Sequence, residues 1–262
     1  MDPLIQTAGG IGFIFLMTCL GSATVFFFYK SKPGKFQHAF LGFAAGIMIA
    51  ASFWSLLTPA IETAEARGIP GWLPAACGFI LGALFLLVLD NVIPHLHPFT
   101  GVQEGGGSLS KRTTLLISAV TLHNIPEGMA VGLSFALAVQ HNDPAMYLAA
   151  IALATGIGIQ NFPEGAAISL PLRQEGLSTF KAFLLGCLSG LVEPVFGVLA
   201  VVLAFWIAPV MPWLLSFAAG AMIYVVVEEL IPEAHLGDHS HVGTLAVMAG
   251  FLIMMVLDVA LG

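Results

Sequence analysis

The sequence predicts an all-α polytopic membrane protein, with eight transmembrane helices in a single domain over residues 1–262. Hydrophobic residues make up 58% of the chain and charged residues only 9%, with a mean hydropathy of +0.96. Soluble domains carry about 25% charged residues. Apolar runs long enough to cross a bilayer recur along the whole chain, and no hydrophilic segment is long enough to fold separately. We therefore expect the protein to be embedded in a lipid bilayer.

The apolar runs that predict the eight spans are residues 9–29, 36–61, 71–96, 113–140, 145–171, 178–206, 210–233 and 242–261. The first run ends in a group of lysines without a small-residue cleavage site, which favours a spanning helix over a signal peptide. Cys19, Cys77 and Cys187 each fall alone in a predicted span, so neither a CxxC pair nor a disulfide framework is indicated. The formal net charge is −7, but many of the acids lie in the apolar segments, and we expect no nucleic-acid partner.

Basic residues predict the orientation. All but one lie in the loops that follow odd-numbered spans: Lys30, Lys32, Lys35, Lys111, Arg112, Arg173 and Lys181. Only Arg67 lies in a loop of the other set. Because loops rich in Lys and Arg remain in the cytoplasm, both termini are expected outside the cell.

An internal repeat relates the second and third spans to the seventh and eighth. Residues 43–49 read Phe-Ala-Ala-Gly-Ile-Met-Ile and residues 217–223 read Phe-Ala-Ala-Gly-Ala-Met-Ile; Val-Leu-Asp recurs at 88–90 and 256–258. An offset of five spans reverses the direction through the membrane, which is typical of inverted repeats. We therefore predict a 3+2+3 arrangement, in which spans 1–3 and 6–8 surround spans 4 and 5. Chance similarity between short Ala/Gly-rich segments is the alternative.

Two polar motifs interrupt the fourth and fifth spans. Residues 123–128 read His-Asn-Ile-Pro-Glu-Gly and residues 160–165 read Gln-Asn-Phe-Pro-Glu-Gly. In a helix, residues three and four apart share a face, so His123 and Asn124 lie beside Glu127, and Gln160 and Asn161 beside Glu164. Each proline also displaces the carbonyl four residues earlier. Together the two motifs predict the halves of one metal site.

The carboxylates support this prediction. An ionised carboxylate near the centre of a membrane helix costs about 2.5–3.5 kcal/mol, so Glu127, Glu164 and Glu193 together cost on the order of 8–10 kcal/mol. Lys181 lies at the start of the sixth run, and the interiors of the spans contain no Lys or Arg to neutralise the carboxylates, whereas a divalent cation would. Glu193 precedes Pro194 in the sixth span and could close the site, and Met48 could add a thioether contact. The alternative is protonated carboxyl groups that donate hydrogen bonds.

A second polar set lies at the predicted cytoplasmic ends of the third and seventh spans. Its members are Asp90, His95, His97, Glu228, Glu229, His235, His239 and His241. Carboxylate and imidazole groups bind transition metals, so these residues could form an exit relay. Solvated helix ends and a polar loop are the alternative.

Imidazole, amide and carboxylate groups without thiolate suit Zn²⁺, Fe²⁺, Mn²⁺ or Cd²⁺ and argue against Cu⁺. An intramembrane metallohydrolase is one alternative function, but the chain lacks an H-E-x-x-H motif. A carrier of organic solutes is another, although no intramembrane Arg or Lys could bind an anionic substrate. Neither an enzymatic activity nor a resident cofactor is expected.

The eight predicted spans and the paired motifs resemble those of the ZIP (Zrt-, Irt-like) divalent metal transporters, in particular the bacterial GufA-like branch. The resemblance covers essentially the whole chain. It implies a multi-pass protein of the bacterial inner membrane, often a homodimer, that moves zinc or a related ion such as Cd²⁺, Fe²⁺ or Mn²⁺ toward the cytoplasm. It also implies alternating access, in which the unit of spans 4 and 5 moves against the repeats.

The resemblance further implies a binuclear metal site in the middle of the membrane. The ligands of one metal would be His123, Glu127, Gln160 and Glu164, with Met48 nearby. The ligands of the other would be Asn124, Asn161 and Glu193, with Glu127 and Glu164 bridging. Many family members have His or Asp where this chain has Gln160 or Asn161, so the site here carries less negative charge.

Overall fold

A computed structural model of the chain describes residues 3–28, 35–92, 111–234 and 241–261, and every regular element in these ranges is helical. The first half contains α1 (Pro3–Ala23), α2 (Val25–Phe28), α3 (Lys35–Ala51), the π-helical segment π1 (Ser52–Leu57), α4 (Thr58–Ala66), α5 (Trp72–Val92) and α6 (Lys111–His141). The second half contains α7 (Pro144–Gln174), α8 (Thr179–Gly190), α9 (Val192–Val202), α10 (Ala204–Ile207), α11 (Met211–Val225), the π-helical segment π2 (Val226–Leu230), α12 (Ile231–Ala234) and α13 (Val242–Leu261).

Side-chain caps explain where α7 and α8 begin. The carboxylate of Asp143 accepts a hydrogen bond from the backbone N–H of Ala145 at 2.8 Å and caps α7, which starts at Pro144. Ser178 caps α8 in the same way through the N–H of Lys181, at 3.3 Å. Such caps satisfy backbone donors that have no partner within the helix. The ends of these two helices are therefore set locally.

In the part of the chain that the structure describes, six helical stretches are long and apolar enough to cross a membrane: Ile5–Phe28, His38–Ala66, Pro144–Gln174, Thr179–Val202, Met211–Leu230 and Val242–Ala260. The apolar part of α5, Trp72–Val88, is shorter. The fourth predicted span lies in α6, a helix of 31 residues that carries the first polar motif. The chain is an integral multi-pass membrane protein, and eight spans remain a prediction.

The helices pack in two groups. The most extensive contacts are those of α1 with α7 and α6 with α9 in one group, and of α13 with α3 and α11 with α5 in the other. We call α1, α6, α7, α8 and α9 the site-bearing group, and α3, α5, α11 and α13, with the short segments π1, α4, π2 and α12, the paired group. Contacts of α6 with α11 and of α3 with α7 join the two groups.

Within the paired group, two helix pairs share one packing pattern. A Cβ atom on Gly46 of α3 would overlap the carbonyl oxygen of Val247 in α13, and one on Gly220 of α11 would overlap that of Phe79 in α5. Gly46 and Gly220 occupy the same place in the repeated segments 43–49 and 217–223. Each glycine thus allows one helix to touch the backbone of its partner.

The glycines on the partner helices, α13 and α5, also make matching contacts. Gly250 of α13 lies against the carbonyl oxygen of Phe43, and Gly82 of α5 lies against that of Phe217. Phe43 and Phe217 open the two repeated segments. The π-helical segments π1 and π2 then follow these segments at matching positions, beginning at Ser52 and Val226. The positions matched in sequence therefore have matching local structure and matching neighbours.

Candidate metal site

The two polar motifs lie inside the long helices α6 and α7, which continue through Pro126 and Pro163. The sixth predicted span, in contrast, is interrupted: α8 ends at Gly190 and α9 begins at Val192. Leu191 between them keeps helical dihedral angles, and Glu193 lies in the first turn of α9. All three elements belong to the site-bearing group.

The side chains of His123, Glu127 and Glu164 converge in the interior. Each offers a ligand atom, and these atoms lie within 4.8 Å of one another. The three residues are at most 1% exposed. His123 Nε2 lies 3.0 Å from Glu164 Oε2, so an imidazole and a carboxylate from the two motifs are in direct contact. Buried ionisable groups of this kind are held by pairing or by a metal.

The three amides point their nitrogen atoms away from this cluster or toward a carboxylate. Asn124 Nδ2 donates to the carbonyl oxygen of Ser189 at 3.3 Å, and Asn161 Nδ2 donates to that of Ile14 at 3.3 Å. Gln160 Nε2 donates to Glu127 Oε1. Because each amide nitrogen has an acceptor, each amide oxygen remains available as a ligand.

Several buried oxygen atoms of these residues have no hydrogen-bond donor among the described residues. They are Asn124 Oδ1, Glu127 Oε2, Gln160 Oε1, Asn161 Oδ1, Glu164 Oε1 and Glu193 Oε2. A buried acceptor without a partner costs about 1–3 kcal/mol, and more when it is charged. Ionised carboxylates and amide oxygens cannot satisfy one another because all are acceptors. Bound cations would satisfy such acceptors.

Glu193 is held by a residue that sequence reasoning missed. Thr18 Oγ1 of α1 donates to Glu193 Oε1 at 2.9 Å, and Glu193 is fully buried. The carbonyls of Ile14 and Ser189, which orient the two asparagines, were missed as well. Thr18 is one of three serine and threonine residues in the first apolar run, with Ser22 and Thr24, and nothing local marks it out because its partner lies 175 residues away. Helix α1 thus forms one wall of the site.

Glycines bring these helices together. A Cβ atom on Gly128 would lie 2.6 Å from Cα of Glu193, and one on Gly165 would overlap the carbonyl oxygen of Thr18. These residues follow the two motif glutamates directly in sequence. They therefore allow α9 and α1 to approach within backbone contact of the site.

Met48 lies outside the site-bearing group, in α3. It is 4% exposed and belongs to the hydrophobic cluster that also includes Met129 and Ala166. The hydroxyl of Ser52 donates to the backbone carbonyl of Met48 at 2.7 Å and also contacts Met222 Sδ at 3.0 Å. A ligand role for the Met48 thioether remains a prediction.

The predicted exit relay is described only in part. Glu228 is exposed and Glu229 is buried in π2, and His241 is exposed directly before α13. Asp90 lies in α5, but the structure does not describe its side chain. His95, His97, His235 and His239 lie outside the described residues. The relay therefore remains a prediction.

Comparison with known proteins shows the family. The model of the ZIP zinc transporter family matches residues 100–258. Zinc transporter ZIP11 of Homo sapiens is 39% identical over an alignment 342 positions long, which covers 100% of this chain and 98% of that protein. Zinc transporter GufA of Myxococcus xanthus is 41% identical over 87% of this chain and 88% of its own length.

Zinc transporter ZIPB of Bordetella bronchiseptica is 40% identical over 95% of this chain and 79% of its own length. These relatives are named as transporters and not as enzymes. The resemblance seen in the paired motifs is thus confirmed over almost the whole sequence, and the chain belongs to the ZIP zinc transporter family.

Proposed function

We propose that this protein transports divalent transition-metal cations across the membrane, with zinc as the principal substrate. The observation that carries the proposal is the set of buried, unpaired amide and carboxylate oxygens around His123, Glu127 and Glu164. Family membership and relatives named as zinc transporters favour Zn²⁺. The same donor set also suits Cd²⁺, Fe²⁺ and Mn²⁺.

Two metal positions share the site in this proposal. His123, Glu127, Gln160 and Glu164 hold one ion, with Met48 nearby, and Asn124, Asn161 and Glu193 hold the other. Glu127 and Glu164 bridge the two ions. The unpaired oxygens are distributed over both sets, which supports two positions. Gln160 can keep its hydrogen bond to Glu127 through Nε2 and present its unpaired oxygen to the ion.

The proposal includes eight spans and alternating access. The matching glycine contacts and π-helical segments of the paired group support an inverted repeat of the second and third spans with the seventh and eighth. Backbone contacts of Gly128 with Glu193 and of Gly165 with Thr18 bind α1 and α9 to the motif helices. We therefore include α1, α8 and α9 with the fourth and fifth spans in the body that moves against the paired group.

The remaining parts of the proposal rest on sequence patterns. Both termini lie outside because the basic residues are concentrated in the loops after odd-numbered spans. The family resemblance implies transport toward the cytoplasm in the bacterial inner membrane, and the proposed path leads past the acidic end of π2 and the predicted relay. A homodimer is proposed from the family resemblance.

Metal uptake into proteoliposomes tests the function. Vesicles loaded with a zinc- or cadmium-sensitive dye receive the wild-type protein, His123→Ala, Glu164→Ala or the control Ser216→Ala. Ser216 is a buried residue of the paired group whose hydroxyl donates to the carbonyl of Pro212 at 2.8 Å. We expect a dye response in the wild type and in the control, and a collapse of the response in both site variants.

A wild-type protein that is folded and inserted but gives no response would contradict transport of these two ions. Iron and manganese would then be tested, followed by hydrolysis of lipid and peptide substrates. A response that survives both site variants would contradict the proposed site, since transport would proceed without its imidazole or without a bridging carboxylate.

A further inference from the structure

Two cysteines meet inside the site-bearing group. The side chains of Cys19 in α1 and Cys187 in α8 lie within interaction distance of each other. Both are free thiols; Cys187 is 9% exposed and Cys19 is half-buried. The third cysteine of the chain, Cys77, lies in α5 of the paired group. The sequence placed Cys19 and Cys187 in different spans, and their contact arises from the packing of α1 against α8.

The two helices are held at close range on both sides of the thiols. A Cβ atom on Gly186 would overlap the hydroxyl of Ser22, and one on Gly190 would lie 2.7 Å from Cγ2 of Thr18. These glycines flank Cys187 along α8, and their partners flank Cys19 along α1. The two sulfur atoms are therefore preorganised as a pair.

Two thiols without a third strong ligand select a particular class of metal. Zinc prefers four ligands, whereas soft cations form stable complexes with two thiolates. The Glu193 carboxylate accepts a hydrogen bond from Thr18, the neighbour of Cys19, and neither helix has a Lys or Arg within one turn of its cysteine. A complex with net negative charge is thus unfavourable here, and an uncharged bis-thiolate is favoured.

We propose that Cys19 and Cys187 form a dithiol site that binds one thiophilic divalent cation of the Hg²⁺ type, and that its occupation inhibits transport. Two S–H bonds break, two S–metal bonds form and two protons leave to water, with no change of oxidation state. The product is uncharged. The site is distinct from the cluster of His123, Glu127 and Glu164, to which neither thiol contributes.

Inhibition is expected because the dithiol lies beside the support of Glu193. Thr18 directly precedes Cys19 and donates the hydrogen bond to the Glu193 carboxylate. A metal ion bound between the two sulfur atoms increases the distance between them. This displaces α1 relative to α8 next to Thr18. This step rests on the proposed function, whereas binding at the dithiol does not.

Binding is measured first, by intact mass spectrometry of the full-length protein treated with Hg²⁺ or with phenylarsine oxide. The arsenical forms two As–S bonds with a close dithiol, and its oxygen leaves as water with the two thiol protons. In excess monothiol, we expect one adduct per chain in the wild type and in the control Cys77→Ser. Cys19→Ser and Cys187→Ser should retain the probe about 100-fold less well, because the second bond forms intramolecularly.

The serine variants are first shown to melt as the wild type does, so that loss of the adduct reports on the thiol and not on folding. An adduct that persists in either variant would overturn the dithiol site. So would its absence from wild-type protein in which all thiols react with maleimide after denaturation.

Zinc uptake by the same proteins tests the second half of the proposal. Hg²⁺ should inhibit the wild type and Cys77→Ser but not Cys19→Ser, and a dithiol reagent should restore uptake where a monothiol does not. Adduct formation without inhibition would overturn the coupling to Glu193. If untreated wild-type protein shows no uptake, the proposed function fails, and the mass-spectrometric result still decides the dithiol site.

Discussion

Close glycine contacts hold both helix groups together, but the two groups bury different side chains. In the paired group, Gly46 and Gly220 press against partner backbones, and the buried hydroxyls of Ser52 and Ser216 donate to carbonyls of their own chain segments. In the site-bearing group, Gly128 and similar glycines enclose carboxylates and amides whose oxygens have no donor among the described residues. The same packing thus serves stability in one group and ligand binding in the other.

This difference shows how a membrane protein can keep charged ligands in its interior. The glycine contacts on both sides of the motif helices provide packing that does not depend on the polar residues. The acceptors remain unpaired and hence available to a cation, at a cost in stability that the packing offsets. Substitutions that remove charge from the metal site should therefore have opposite effects on stability and on metal affinity.

The largest expected effect is that of Glu164→Gln, which removes the charge and retains the shape. We expect metal affinity to fall by about 100-fold or more, since changes in residues that merely support a ligand already cost about 10- to 100-fold. The metal-free protein should melt at the same or a higher temperature, because a buried charge costs about 2.5–3.5 kcal/mol. Calorimetric titration with Zn²⁺ and thermal unfolding measure the two quantities. A lower melting temperature without metal would contradict the comparison.

A matched pair of glycine substitutions separates packing from binding. Gly128→Ala and Gly220→Ala each insert a methyl group against a partner backbone, and each should destabilise the fold by about 1–3 kcal/mol. Only Gly128→Ala should also weaken Zn²⁺ binding, because the added methyl group displaces Glu193. Chemical unfolding and metal titration of both variants test this. Equal loss of affinity in the two variants would mean that the paired group also shapes the site.

Thr18→Val tests whether α1 belongs functionally to the site. The substitution keeps the volume and removes the donor to Glu193 Oε1, so metal affinity should fall about tenfold. Thr121→Val is the control, because Thr121 donates to the carbonyl of Ile117 in its own helix at 2.7 Å. Titration of both variants gives the comparison. Similar affinities for the two would remove Thr18 from the site.

The smallest expected effect is that of Ser52→Ala in the paired group. It removes the hydrogen bond to the Met48 carbonyl and the contact with Met222 Sδ, at a cost of about 0.5–1.5 kcal/mol. Zn²⁺ affinity should not change, because the backbone of Met48 remains held within α3. A clear loss of affinity would instead support a direct ligand role for Met48 and would extend the site into the paired group.

Local sequence patterns were sufficient for the helical class, the positions of most apolar helices and the residues of the two motifs. Hydropathy and the helical period act within one segment, so Pro126, Glu127 and Glu164 could be placed without knowing any neighbour. The recurrence of residues 43–49 at 217–223 was likewise visible, and matching glycine contacts accompany it.

The neighbours themselves could not be read from such patterns. The hydrogen bond from Thr18 to Glu193 and the pairing of Cys19 with Cys187 join segments that lie far apart in the chain. The break at Leu191 and the π-helical segments also arose within runs that appeared continuous. Which helices meet depends on the shape of complete helix surfaces, and in a bilayer apolar side chains gain little by choosing one partner over another. Small residues and polar contacts make that choice, and they act only once the helices are together.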